Sequence, residues 1–165
     1  MKFLLPILAI LTLMPSTALL ASPATSPECP LPRPVAFKKG SLTIAQGSRI
    51  TRLQVEVAET PEARGQGLMC RTRLAENAGM LFIFENTSQV GFWMKNTLLP
   101  LSIAFIDDAW KIVDMKDMDV EQDPTAPVKT YPSAKPYRYA LEVNQGFFAR
   151  HGITAGARVT YRPQP

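Results

Sequence analysis

From residue 40 onward, apolar side chains fall on every second position in short runs, and turn-forming residues separate the runs. "TRLQVEVA" is the cleanest case: Leu53, Val55 and Val57 point one way, Arg52, Gln54 and Glu56 the other. Period two marks a half-buried strand. "SLTIA", followed by the turn "QGSR", reads as its partner, and "VGFWM", "LSIAFID", "WKIVDM", "YRYALEVN" and "ARVTYR" extend the series. In "YRYALEVN", Tyr139, Leu141 and Val143 point inward, whereas "GMLFIF" is apolar on both faces and belongs at the centre. Two segments break the alternation. Thr60, Pro61 and Glu62 supply a cap, a first-turn proline and an acid for a helix that Gly65 and Gly67 keep short. Asn144 is positioned to cap a second short helix, "QGFFARH", which Gly152 stops. The spacing predicts a mainly β chain, an antiparallel β-sandwich or barrel of about eight short strands with two short helices, rather than repeated βαβ units.

Residues 1–24 read as a secretory signal, with Lys2 at the start, an apolar run Phe3–Met14, and small residues for cleavage in "PSTA" and "ASPA". Such a run spans about 18 Å as a helix, against a hydrocarbon core of about 30 Å, so no stable membrane span is expected after leader cleavage. The chain is expected to be exported, to the periplasm or the extracellular space. Residues 25–39 form a proline-rich arm and residues 40–165 a single β domain. Net charge is +4, but Lys and Arg are scattered with no run longer than Lys38-Lys39, so no basic stripe for nucleic acid is present. The two cysteines, Cys29 and Cys70, favour one disulfide in an oxidising compartment; Cys70 as a free nucleophile is the alternative.

"GLMCR", "GMLFIF", "FWMKNTLLPLSIAFID", "YALEV" and "GITAGARV" occur in this order between about residues 40 and 162. Together they closely resemble the family catalogued as domain of unknown function one hundred and ninety-two. The resemblance implies a small, mainly β, sandwich-type domain, often exported, without an established activity. Family-typical positions include Gly67, Met69, Arg71, Gly79, Met80, Phe82, Trp93, Met94, Asn96, Thr97, Pro100 and Glu142. The same resemblance implies that Ser102 and Ala157 stand where relatives often carry Asp, which weighs against a mechanism needing a carboxylate at 102.

"FWMKNT" concentrates aromatic and polar groups most densely. In a strand, Phe92 and Met94 share one face, Trp93 and Lys95 the other. One reading is a core strand whose turn is satisfied by Asn96 and Thr97, with Pro100 starting the next strand. The other makes Trp93 a stacking surface beside Lys95 and Asn96, suited to a sugar, a peptide or an anionic group. Arg71 and Glu142 are candidates for a buried charged pair supporting the fold or a pocket floor. The ligand-binding candidates are therefore Trp93, Lys95, Asn96, Thr97, Arg71 and Glu142, with the long 119–136 loop as a cover.

Other clusters carry less. Met69, Met80, Met94, Met115 and Met118 offer thioethers but no close Met or His cluster, so neither metal nor cofactor is expected. Asp117, Asp119, Glu121 and Asp123 alternate without the glycine of a calcium loop, as on a solvated strand edge. His151 suits the end of a short helix. The function these residues suggest is a binding module for a small molecule, a glycan or a protein segment. The alternatives are a hydrolase-like enzyme using Glu142 or Asp107 as acid/base and a structural or assembly partner.

Overall fold

The computed structural model describes residues 35–121 and 128–165. The leader and Cys29 lie outside the described residues, as does most of the proline-rich arm. The first elements are β1 (Lys38–Gln46), β2 (Arg49–Ala58), α1 (Pro61–Gln66), β3 (Ala78–Ser88), β4 (Phe92–Trp93) and β5 (Leu101–Ile106). They are followed by β6 (Ile112–Met118), β7 (Thr130–Tyr131), β8 (Tyr137–Asn144), α2 (Phe147–Arg150) and β9 (Arg158–Pro163). Seven strands form one sheet in the order β6-β5-β8-β3-β2-β1-β9, and β4 pairs with β7 in a two-stranded ribbon. The fold is mainly β and sandwich-like, as the alternation predicts.

Four details differ from the sequence expectation. The small strand β7 lies inside the 119–136 loop, and β1 begins at Lys38, within the arm assigned to 25–39. One strand pair, β2 with β3, is parallel. A parallel neighbour needs a crossover, and the connection between Ala58 and Ala78, which contains α1, supplies it. The start of α1 is as expected, with the Ala63 N–H donating to the Thr60 hydroxyl at 3.2 Å. Asn144, by contrast, does not cap α2; Gly146 does, at φ +74°. The Asn144 amide instead donates to the Leu74 and Ala75 carbonyls at 3.1 and 3.2 Å, fastening the end of β8 to the crossover.

Both faces of the large sheet are covered. On one, Leu42, Ile44, Leu53, Val55, Leu81, Leu141 and Val143 pack with Phe147 and Phe148 of α2. On the other, Met80, Phe82, Ile103, Phe105 and Ala140 lie beneath Ala63, Leu68, Met94 and Tyr131 from the crossover and the ribbon. This double burial explains why "GMLFIF" lacks alternation and why all six residues of β5 are buried. The sheet curls until its edges meet at one end, through a Lys111–Arg158 bridge and the Val159 N–H donating to the Trp110 carbonyl at 2.8 Å. Trp110 stacks on Tyr139 there, with ring centroids 3.8 Å apart.

Candidate functional site

The ribbon places the "FWMKNT" side chains. Phe92 pairs with Tyr131 and Trp93 with Thr130, so alternation sends neighbouring side chains to opposite sides. Phe92 turns inward, edge-on to Phe82 at 5.0 Å, and Met94 is buried. Trp93 turns outward and is 46% exposed, with the Lys95 ammonium 5.9 Å from its ring centroid. Beyond the strand the chain reverses. Asn96 sits at φ +55°. Its carbonyl accepts from the Cys70 N–H at 2.8 Å, and the Thr97 N–H donates to the Met94 carbonyl at 3.0 Å. The stretch is therefore a core strand with a turn on one side and an indole surface on the other.

Beside that indole runs an aromatic groove of about 260 Å³, walled by Phe82, Phe84, Phe92, Trp93 and Tyr137. Arg64 of α1 stands on its rim, donating to the Glu59 and Ile83 carbonyls at 2.7 and 2.9 Å. Its guanidinium also covers the Phe84 ring at 5.0 Å. The Tyr137 hydroxyl donates to the Val90 carbonyl at 2.5 Å, which holds the far wall. A smaller chamber of about 30 Å³ adjoins the groove. It shares Arg64, Gly65, Phe82, Phe92 and Trp93 with the groove and is completed by Gln66, Gly67, Leu68, Met69, Thr97 and Glu142. Gly67 lets the crossover settle there: it adopts φ +51°, and a methyl group in its place would lie 3.3 Å from the Phe82 ring.

Glu142 is the chemically unusual member. On β8 it stands opposite Met80 of β3 and Ile103 of β5, so apolar residues flank it on both sides. It is 4% exposed, and among the described residues nothing donates to its carboxyl. Removal from water disfavours the anion, and burial raises its pKa from 4.5 to about 8. At neutral pH the chamber therefore holds an uncharged acid, which both donates and accepts. Thr97 adds a hydroxyl whose contact, to the Lys95 carbonyl, is 3.4 Å long.

Of the six candidates, Trp93, Thr97 and Glu142 come together. Lys95 flanks the indole from outside, and Asn96 shapes the turn. Arg71 does not meet Glu142; it pairs with Glu56 and covers the Phe37 ring at 5.7 Å, lining a separate cleft with Lys39 and Arg73. Asp107 accepts from the Lys111 N–H at 2.8 Å in a turn, and His151 Nδ1 lies 2.9 Å from the Phe147 carbonyl at the end of α2. Ser102 donates to Asp117 and accepts from the Gly146 N–H at 2.8 Å, so a small hydroxyl at 102 stitches β5, β6 and the start of α2 together. Arg64, Phe84 and Tyr137 were not among the candidates. For Phe84 the signal was present, since it lies two positions after Phe82 and so faces the same way; Arg64 and Tyr137 carry no such mark.

The profile of the DUF192 family, "Uncharacterized ACR", matches residues 42–161. No curated protein matches the chain. Among solved structures, a candidate transcription regulator from Sinorhizobium meliloti 1021 is 34% identical with a TM-score of 0.70, the match covering 78% of this chain and 98% of that one. A protein of unknown function from Novosphingobium aromaticivorans DSM 12444 is 29% identical with a TM-score of 0.66, covering 85% and 98% respectively.

Proposed function

The chain belongs to the DUF192 family, and from that footing we propose that it is a binding module whose ligand is a small, largely apolar molecule held in the Trp93 groove. One observation carries this reading: a half-exposed indole and a buried carboxyl with no hydrogen-bond partner among the described residues share one cavity. Aromatic walls with few polar groups are the usual make-up of small-molecule sites. A cavity of about 260 Å³ falls just below the range of about 300–1,000 Å³ common for drug-sized ligands, which favours a compact occupant. Val90, which is exposed and lines the same groove, extends the apolar surface beside Trp93.

The direct test is titration of ¹⁵N-labelled protein with panels of small aromatic compounds, sugars and short peptides. Shifts centred on Trp93, Phe82 and Thr97 are expected for a small aromatic compound, and Trp93→Ala should weaken binding at least about tenfold, within the range of hot-spot truncations. Unchanged affinity in a folded Trp93→Ala variant would refute the groove as the site.

A second reading is favoured by Glu142 itself, because a carboxyl with a raised pKa in a cleft is the usual form of a general acid. Hydrolysis would also need a nucleophile or an activated water, and the Thr97 hydroxyl is the candidate in the same chamber. Turnover of an ester or glycoside panel that Glu142→Gln abolishes would favour the enzyme over the binding module.

Export to an oxidising compartment belongs to the same proposal. Its support is the leader-like start of the sequence, with Lys2 ahead of Phe3–Met14, and N-terminal sequencing of protein from fractionated cells tests it. The Cys29–Cys70 disulfide goes with it, supported by the even cysteine count and by the lack of a free cysteine among the described residues.

A further inference from the structure

The groove and its chamber constrain the ligand's chemistry more tightly than its size. The chamber, at about 30 Å³, is roughly a ninth the size of the groove of about 260 Å³ that it adjoins. It is small beside the groove, so it suits a terminal group of a ligand whose body lies outside. The groove outside it is walled by four aromatic rings and an indole, which suits a flat or ring-shaped body.

Charge decides the rest. Arg64 is the charged side chain that faces Glu142 from the crossover, and its guanidinium is engaged by two backbone carbonyls. Gln66, Leu68 and Met69 accompany it from the same segment, and Cys70 follows them. The 94–97 turn contributes Thr97 to the chamber and Lys95 outside it, over Trp93. From β3 and β5, Met80, Phe82 and Ile103 add no charge. A cationic ligand would meet this positive rim and would have to offset the cost of ionising a buried carboxyl. An anionic head would have to be desolvated in a chamber whose basic liner, Arg64, is already engaged by two backbone carbonyls, with Lys95 outside over Trp93.

Building on the groove reading above, we infer that the ligand is an uncharged molecule with a ring-shaped apolar body and a small terminal hydrogen-bond acceptor, such as an amide or ketone oxygen, which takes the O–H of Glu142. Thr97 lines the same chamber, and its hydroxyl becomes a second donor for that oxygen on releasing its long, 3.4 Å bond to the Lys95 carbonyl. Glu142 is then a recognition group whose lone proton selects an acceptor and rejects both signs of charge. Because its pKa is near 8, binding should be independent of pH in the acid range. It should weaken by about tenfold per pH unit once the acid ionises.

The test uses the full domain and three matched probes: benzamide, benzoate and benzylamine, the last protonated at neutral pH. Each is titrated at pH 6, 7, 8 and 9 against the Trp93 indole N–H resonance. Benzamide should bind about tenfold or more tightly than either charged probe at pH 6, and its affinity should fall above pH 8. Glu142→Gln, which keeps a neutral donor of the same shape, should retain benzamide binding within a few-fold and abolish the pH dependence. Glu142→Leu should lose about tenfold, the weight of one hydrogen bond. Benzylammonium binding most tightly, with affinity rising with pH, would overturn this inference while leaving the groove reading intact. If no probe moves the Trp93 resonance, both fall.

Discussion

Replacing Glu142 by Gln should make the protein more stable, and by an amount that depends on pH. In the folded state the carboxyl titrates near 8, against 4.5 when burial is absent. Below pH 4.5 both states carry the proton and the position contributes no pH dependence. Between the two values the unfolded chain releases its proton while the native chain keeps it. Stability therefore falls as pH rises, by about 1.4 kcal/mol per unit. Above pH 8 both states are ionised and the loss is complete. Across the window the loss amounts to roughly 5 kcal/mol, and at pH 7 it is already roughly 3 kcal/mol. That is a large part of the roughly 5–15 kcal/mol that holds a domain folded.

Glutamine is uncharged in both states, so Glu142→Gln removes this slope while preserving shape. Urea unfolding of both proteins from pH 4 to pH 9 measures it, and taking the difference cancels every other titrating group. The gap should be flat below pH 4.5, open through neutrality and level off above 8. Two parallel profiles would show that the carboxyl does not lose its solvation on folding. Both the neutral acid and the ligand chemistry built on it would then be wrong.

Two further outcomes test the packing and the covalent frame. Phe105→Ala should destabilise by about 3–5 kcal/mol, because its ring is fully buried and meets Tyr137 and Phe92 at centroid distances of 4.9 and 5.9 Å; a loss under about 1 kcal/mol in urea would contradict that packing. If Cys29 and Cys70 are bonded, reduction should remove roughly 4 kcal/mol, the chain-entropy value for a loop of about 40 residues. An unfolding midpoint indifferent to dithiothreitol would argue against the pair.

Alternation made most of the sheet legible because a strand with one face in a core must place its apolar groups two apart. Leu53, Val55 and Val57 obeyed that rule, and all three are buried. It also separated Trp93 from Phe92 and Met94 correctly, since side-chain direction in a strand is fixed by parity alone. What parity cannot supply is the partner across space. Arg71 follows "GLMC" in a connection without period, and nothing local distinguishes a route to Glu142 from the route it takes to Glu56. Asn144 has the chemistry of a cap and sits two residues before one, yet its amide is taken by Leu74 and Ala75, some seventy positions earlier. β7 was hidden for a related reason: two residues are too short a run to show a period, and only pairing with β4 makes them a strand.

The same limit explains why the site was half seen. Glu142 reads in sequence as the polar member of an alternating strand, a position that normally faces water. β8 runs between β3 and β5, and the crossover and ribbon cover its outer face, so the expected solvent side is a second core. An alternating pattern folded into a doubly covered sheet leaves its polar residues in the wrong surroundings, and most such positions on β3 and β5 are apolar. At 142 the acid stays, at a cost of roughly 3 kcal/mol at neutral pH, beside a cavity that a leucine would partly fill. That combination is what the proposed binding site requires. A site that must offer one proton to a small acceptor in an otherwise greasy hollow needs both, the unspent donor and the space in front of it.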